Sequence, residues 1–154
     1  VNVIINGDGN NNAAASFTVG TSPISGTKGT LTYDQMVEFW GQFDPYTMNT
    51  ILCSTGTMTN LLKIPELQNP MTGLNFQGTG KVGTPLGAQL HRTSAVADGV
   101  IIGLDNRYAL ELVRAGDVLV EHDKLIDRQL ERAAISTICG FGKICDGAAA
   151  VLNV

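Results

Sequence analysis

Charge is scarce in this chain. Only 16% of its 154 residues are charged, against roughly 25% in an average globular domain. Ten Lys and Arg against fourteen Asp and Glu leave a net charge of −4. The basic face expected of a nucleic-acid binder, or of a protein held on an anionic membrane, is therefore missing. Long hydrophobic runs are missing too. The longest uncharged apolar stretches, Val100 to Leu104 and Ala148 to Leu152, fall far short of the ~20 residues a membrane-spanning helix needs. No signal peptide is expected, because the chain opens with neither a basic region nor a long apolar run. Cysteine is sparse: Cys53, Cys139 and Cys145 are an odd number without metal-type spacing, which predicts reduced thiols acting as small core residues.

What is present suits one domain, large enough to bury about 70% of the surface of its unfolded chain without a metal or disulfide staple. The first residue is Val, the first Met is Met36, and the chain opens directly in Val1-Asn2-Val3-Ile4-Ile5. These features read as a piece cut from a longer protein. Charge is also uneven. Residues 1–62 hold five charged side chains, whereas residues 105–132 hold twelve of mixed sign. Such a block is either a solvated face or a subunit interface, where mixed charges set register between partners.

Residues 6–25, rich in Asn, Gly, Ala, Ser and Thr, read as loop or extended arm. Thr32 with Gln35 spells a capping box, and Leu31 can staple onto Met36. Tyr33, Met36, Val37, Trp40 and Phe43 recur at helical spacing and predict one apolar face, ended by Asp44-Pro45. Thr50 to Cys53 reads as a short buried strand leading into a second helix capped by Ser54 or Thr55 and ended by Pro65. The glycine-rich stretch Asn69 to Thr84 reads as a long exposed loop. Strands are expected at Val100 to Leu104, Tyr108 to Val113 and Val118 to Glu121, the last two joined by a tight turn at Arg114 to Asp117. Lys124 to Ile144 begins with helical spacing, but Ile135, Thr137, Cys139 and Phe141 alternate as in a strand. The β-branched run at 135–138 tips the second half to strand, with Ala148 to Val154 returning beside it. The fold expected is α+β: two or three helices packed on a mostly antiparallel sheet.

Motifs for chemistry fail on inspection. Gly78-Thr79-Gly80-Lys81-Val82-Gly83 spells a dinucleotide loop, but Thr84-Pro85-Leu86-Gly87 follows where a helix must open. Asn6-Gly7-Asp8-Gly9-Asn10 starts like a calcium loop, yet position six is Asn11 and position twelve is Phe17. Glu121, His122 and Asp123 are neighbours on a strand and point to alternate faces, so they cannot share a metal. His91 stands alone. No enzyme is expected, and no cofactor or metal.

The order of features is more telling. Gly7-Asp8-Gly9 after an apolar segment comes first, then the capped helix and the strand-then-helix from Ile51 to Leu62. Next come the glycine-rich loop reaching Gly83-Thr84-Pro85-Leu86, the stretch from Val100 to Leu110, and the closing Ala148 to Leu152. Over most of the chain this order resembles the major capsid protein of tailed bacteriophages, in pattern rather than by any single specific motif. The resemblance implies the carboxy-terminal portion of a coat subunit. Residues 1–25 would be a loop-rich opening segment, 26–124 an axial-type α+β domain, and 125–154 returning strands of the peripheral domain. It implies subunits that self-associate into capsomers around packaged DNA held by enclosure, with no membrane partner. Scaffold or portal proteins are further partners it implies, and the virion, assembled in the bacterial cytoplasm, is the location. Candidate inter-subunit contacts are Asn75, Gln77 and Lys81 in the glycine-rich loop, with Arg107, Arg114, Glu121, Arg128 and Arg132 in the charged block. A cellular nanocompartment shell of the same fold is the near alternative. A small ligand- or nucleotide-binding domain using Gly78 to Gly83 is the alternative of another class.

Overall fold

The structure, a computed structural model, describes residues 1–10, 12–67, 81–84, 86–125 and 128–154. Three α-helices occur among them: α1 (Asn2–Asn6), α2 (Tyr33–Trp40) and α3 (Thr55–Leu62). The strands are β1 (Ala15–Thr18), β2 (Thr50–Cys53), β3 (Lys81–Gly83), β4 (Gln89–Arg92), β5 (Val100–Leu104), β6 (Glu111–Arg114), β7 (Leu119–Leu125), β8 (Leu130–Ser136), β9 (Cys139–Gly142) and β10 (Ala149–Asn153). Six of them form one mixed sheet in the order β1-β10-β5-β2-β4-β3. Its β10/β5, β5/β2 and β4/β3 pairs are antiparallel, and its β1/β10 and β2/β4 pairs are parallel.

The helices start where their cap chemistry places them. Gln35 reaches back to accept from the Thr32 amide at 2.9 Å, and the Thr57 amide donates to Ser54 Oγ at 3.1 Å. Both bonds satisfy polar groups that a helix terminus otherwise leaves unpaired. Helices α2 and α3 cover one face of the sheet, where Met36, Phe39, Phe43, Met58 and Leu61 pack with Ile51, Ile101 and Leu152. Ile4 of α1 joins Ile102, Leu104, Ala149 and Val151 on the opposite face. With both faces covered, the central strands β5 and β10 are buried almost throughout rather than alternating.

Several expectations need correction. Val37 and Trp40 are exposed, while Phe39 is fully buried. The burying face of α2 runs through Met36, Phe39 and Phe43, the last of these in a 3-10 turn (Gly41–Phe43) that ends the helix. The apolar opening stretch is helical as α1, and β1 occupies part of the supposed loop 6–25, held beside β10 by backbone pairing, by Asn153 bonding Ser16, and by Phe17 packing on Phe39. The supposed loop ending at Thr84 instead enters β3, and β4 follows with only Leu90 fully turned inward, too weak a pattern to stand out in sequence. Residues 68–80 of that stretch lie outside the described residues.

Two pairing expectations are also overturned. Arg114 to Asp117 is no hairpin turn, because β6 pairs with β9 and not with β7. Ala148 to Val154 does not return beside Cys139 to Phe141, because β10 inserts between β1 and β5 in the core sheet. Buried on both faces, Ala149 to Leu152 belongs in the middle of a sheet, and the exposed ribbon has no such place to offer.

Candidate functional site

Beyond Tyr108 the chain leaves the core as a long two-stranded ribbon. Strands β6 and β7 run outward, β8 and β9 return, and the register passes from Glu111↔Gly142 at the root to Leu125↔Leu130 near the tip. Four residues separate Arg114 from Leu119, but only two separate Cys139 from Ser136. The outgoing strand therefore bulges, around Gly116 at φ +89°, and twists more strongly there. The helical reading of the first part of Lys124 to Ile144 is overturned, since β8 begins at Leu130.

Every residue of β6 and β8 is exposed, although many are apolar. Leu112 stands opposite Phe141, and Val120 opposite Ile135. Ile135 and Ile138 are each 72% exposed. Cross-strand pairs of this kind normally contribute by packing against a covered face. A two-stranded ribbon in water is marginal by itself, and this much exposed apolar side chain makes the ribbon the candidate for an interaction surface. Cys139 is exposed within it and Cys145 is half-buried, so only Cys53 is the core thiol expected. Burial pushes the Cys53 thiol up to about 11.

The charged block coincides with this ribbon and its root. Arg132 pairs with Asp123 at 2.9 Å and Lys124 with Glu131 at 3.8 Å, both across the ribbon. Arg107 folds back onto Asp105 at 3.0 Å. Arg107 and Arg132 are thus bonded within the chain. Arg114 stands opposite Cys139, Glu121 opposite Ala134, and Arg128 lies in the tip, so four of the charged candidates share one projection. Lys81 opens the edge strand β3. Asn75 and Gln77 lie outside the described residues. The apolar residues Leu112, Val120, Ile138 and Phe141 were not singled out as contacts, although the alternation of Ile135, Thr137, Cys139 and Phe141 carried the signal.

At the root, Asp105 is completely buried. Its carboxylate accepts from the Thr47 amide (3.3 Å), the Asn49 side-chain amide (3.0 Å), and the Arg107 backbone amide and guanidinium (3.0 to 3.1 Å). The Arg107 guanidinium bonds outweigh burial and hold the carboxyl at about 2. On the return strand, the Lys143 amide donates to Asp8 (3.2 Å), and the Lys143 carbonyl accepts from the Asn12 side chain (3.1 Å). The bond from Lys143 lowers the Asp8 carboxyl. The Lys143 side chain is itself buried, and its Nζ makes no hydrogen bond among the described residues. Burial pushes this ammonium down, against the pull of Asp146 and Asp8.

Elsewhere the surface offers less chemistry. No group of three His, Cys, Asp or Glu among the described residues could hold a metal ion. A cleft of about 490 Å³ lies between Thr57, Asn60, Lys63 and Asp98, but Asp98 is already taken by the Ser54 hydroxyl. In the glycine-rich segment, Lys81–Gly83 is strand and leads through a turn into β4. No helix amides follow it to meet a pyrophosphate.

No protein-family model matches the sequence, and no curated protein matches it. The structure does have a counterpart. It superposes on the cryo-EM structure of the holo-SrpI encapsulin complex from Synechococcus elongatus PCC 7942 with a TM-score of 0.56 and 16% identity. The chain is similar in fold to an encapsulin shell protein. The match covers 90% of this chain and 52% of that one, so the chain spans about half the length of the shell protein it resembles. At this identity the likeness carries the fold: an α+β arrangement with few helices packed on a sheet.

Proposed function

We propose that this chain is part of a shell-forming subunit, a structural protein that self-associates into a closed protein compartment. The observation that carries the reading is the exposed apolar ribbon of β6 to β9. The projection leaves its own Leu112, Val120, Ile135, Ile138 and Phe141 exposed within this chain, and a shell offers every copy a surface to cover them through repeated, symmetric contacts. The fold likeness to an encapsulin supports the same reading. The ribbon's self-paired charges suit a rim that fixes register while the apolar residues supply affinity. The function is mechanical, with no catalytic step.

Two shells fit this reading: a compartment of the encapsulin kind, and a phage coat enclosing DNA and located in the virion. The fold likeness favours the compartment. Net charge does not divide them, because a genome can be held by confinement as well as by basic contacts. Electron microscopy of the full-length protein tests the shared claim: closed particles of uniform diameter are expected, and dispersed monomers under all conditions would refute it. Nuclease-protected nucleic acid inside the particles would identify a coat. Particles free of nucleic acid would identify a compartment.

A further inference from the structure

The ribbon meets the core at a joint built from both of its strands. On the outgoing side the anchor is Asp105, buried, with partners in the segment before β2 and in its own turn. On the return side the anchors are Asp8 and Asn12, which hold the amide and the carbonyl of residue 143, one bond each. Between the anchors lies an aromatic wedge. The Tyr46 and Tyr108 rings pack with centroids 5.8 Å apart, and the Arg107 guanidinium sits 5.5 Å from the Tyr108 centroid. Gly147 lets Tyr46 approach, since a Cβ there would come within 3.2 Å of the ring. The return loop is shaped for its task as well. Gly7 sits at φ +76°, and a Cβ on it would collide with the Asn12 side chain that reaches Lys143. Asn12 is itself buried.

The two anchors differ in strength. Asp105 accepts through several bonds away from water, whereas the return anchor divides into a buried Asn12 bond and a bond to Asp8, which is exposed and competes with solvent. No apolar contact replaces these bonds along the ribbon, because its strands are exposed from β6 outward. The angle of the ribbon to the core sheet is therefore decided at the joint alone.

We propose that Asp105, Asp8 and Asn12 are positioning residues for assembly: they set the direction in which the ribbon is presented to its neighbour, and the solvent-exposed Asp8 bond is the first that can be released. This inference rests on the shell reading and adds where the geometry of the contact is fixed. An error of angle at the joint is magnified toward the tip of a two-stranded ribbon. In a symmetric assembly it is repeated at every contact, so it changes closure rather than subunit stability.

The test uses the double variant Asp8→Ala/Asn12→Ala beside Lys143→Met, which keeps the backbone bonds and removes only the buried ammonium. Residual dipolar couplings of backbone amides, measured on the 154-residue chain, report the ribbon's order relative to the core. In the unaltered chain and in Lys143→Met, the amides of β6 to β9 should fit the alignment tensor of the core sheet. In the double variant the ribbon couplings should fall by about half or more while core couplings stay, with Tm lowered by no more than about 5 °C. In the full-length protein the same variant should give particles of scattered diameter or open sheets. Ribbon couplings in the double variant that still fit the core tensor would overturn the positioning role, whether or not shells form. Collapsed couplings, together with an unaltered protein that never assembles, would instead overturn the shell reading.

Discussion

Asp105 and Lys143 are both buried charged side chains, and they act on stability in opposite directions. Asp105 is bonded on all sides, and its carboxyl titrates at about 2 instead of the ordinary 3.8. A group whose folded value lies below its unfolded value stabilises the fold above the unfolded value and loses that contribution as pH falls. Melting temperature should therefore drop between about pH 4 and about pH 2 in the unaltered chain. Asp105→Asn should flatten that part of the profile, and Asp105→Ala should cost about 2–4 kcal/mol at neutral pH. Lys143 is the reverse case: burial lowers its value below 10.5, so its charge penalises the fold at every pH below that. Lys143→Met should raise stability by about 1 kcal/mol, or about 3 °C in Tm, by thermal denaturation. Gly103 is a third decisive residue. A Cβ there would come within 2.7 Å of the Phe43 ring, 2.8 Å of Met48 sulfur and 2.9 Å of the Phe39 ring. Gly103→Ala should lower stability by about 1–3 kcal/mol through overpacking, read from chemical denaturation.

Among the elements, those governed by local chemistry were legible in the sequence. The capping residues Thr32, Gln35 and Ser54 mark the starts of α2 and α3, because caps act over three residues. The run Val100 to Leu104 is apolar without alternation, as a strand buried on both faces must be. The pairing of strands was not legible. Whether β10 lies beside β9 or between β1 and β5 depends on surfaces that sequence spacing does not contain. Arg114 to Asp117 has the composition of a turn and serves as a bulge, since both uses need a residue such as Gly116 at positive φ. The ribbon itself was half legible: its charges stand out in sequence at residues 105–132, whereas the exposure of its apolar residues depends on which strands pair. Replacing Val120 and Ile135 by Thr keeps β-branched residues in the ribbon. The chain should retain its Tm within about 2 °C, while assembly of the full-length protein, followed by light scattering, should be lost.

At the largest scale the described residues form a well-packed core joined to a lever that they do not cover. The core satisfies itself: buried clusters lie on both faces of the sheet, and its central strands β5 and β10 are buried. The lever does not, and its stability has to come from another surface. Low overall charge and a mixed-sign block at residues 105–132 are two views of that division, since from Glu111 on the described charges of the block are exposed, outside the core. The proposed shell role suits this arrangement, because a subunit must fold before it has neighbours and still hold contact surface in reserve for them. The central claim is that the β6 to β9 ribbon is the surface buried on assembly. Hydrogen–deuterium exchange, measured on dispersed and on assembled full-length protein, tests it most directly. Amides of β6 to β9 should exchange rapidly when dispersed and slow by at least about tenfold on assembly, while core amides of β5 and β10 stay protected throughout. Assembled particles whose ribbon amides exchange as fast as in the dispersed protein, with protection appearing on another face, would contradict the account.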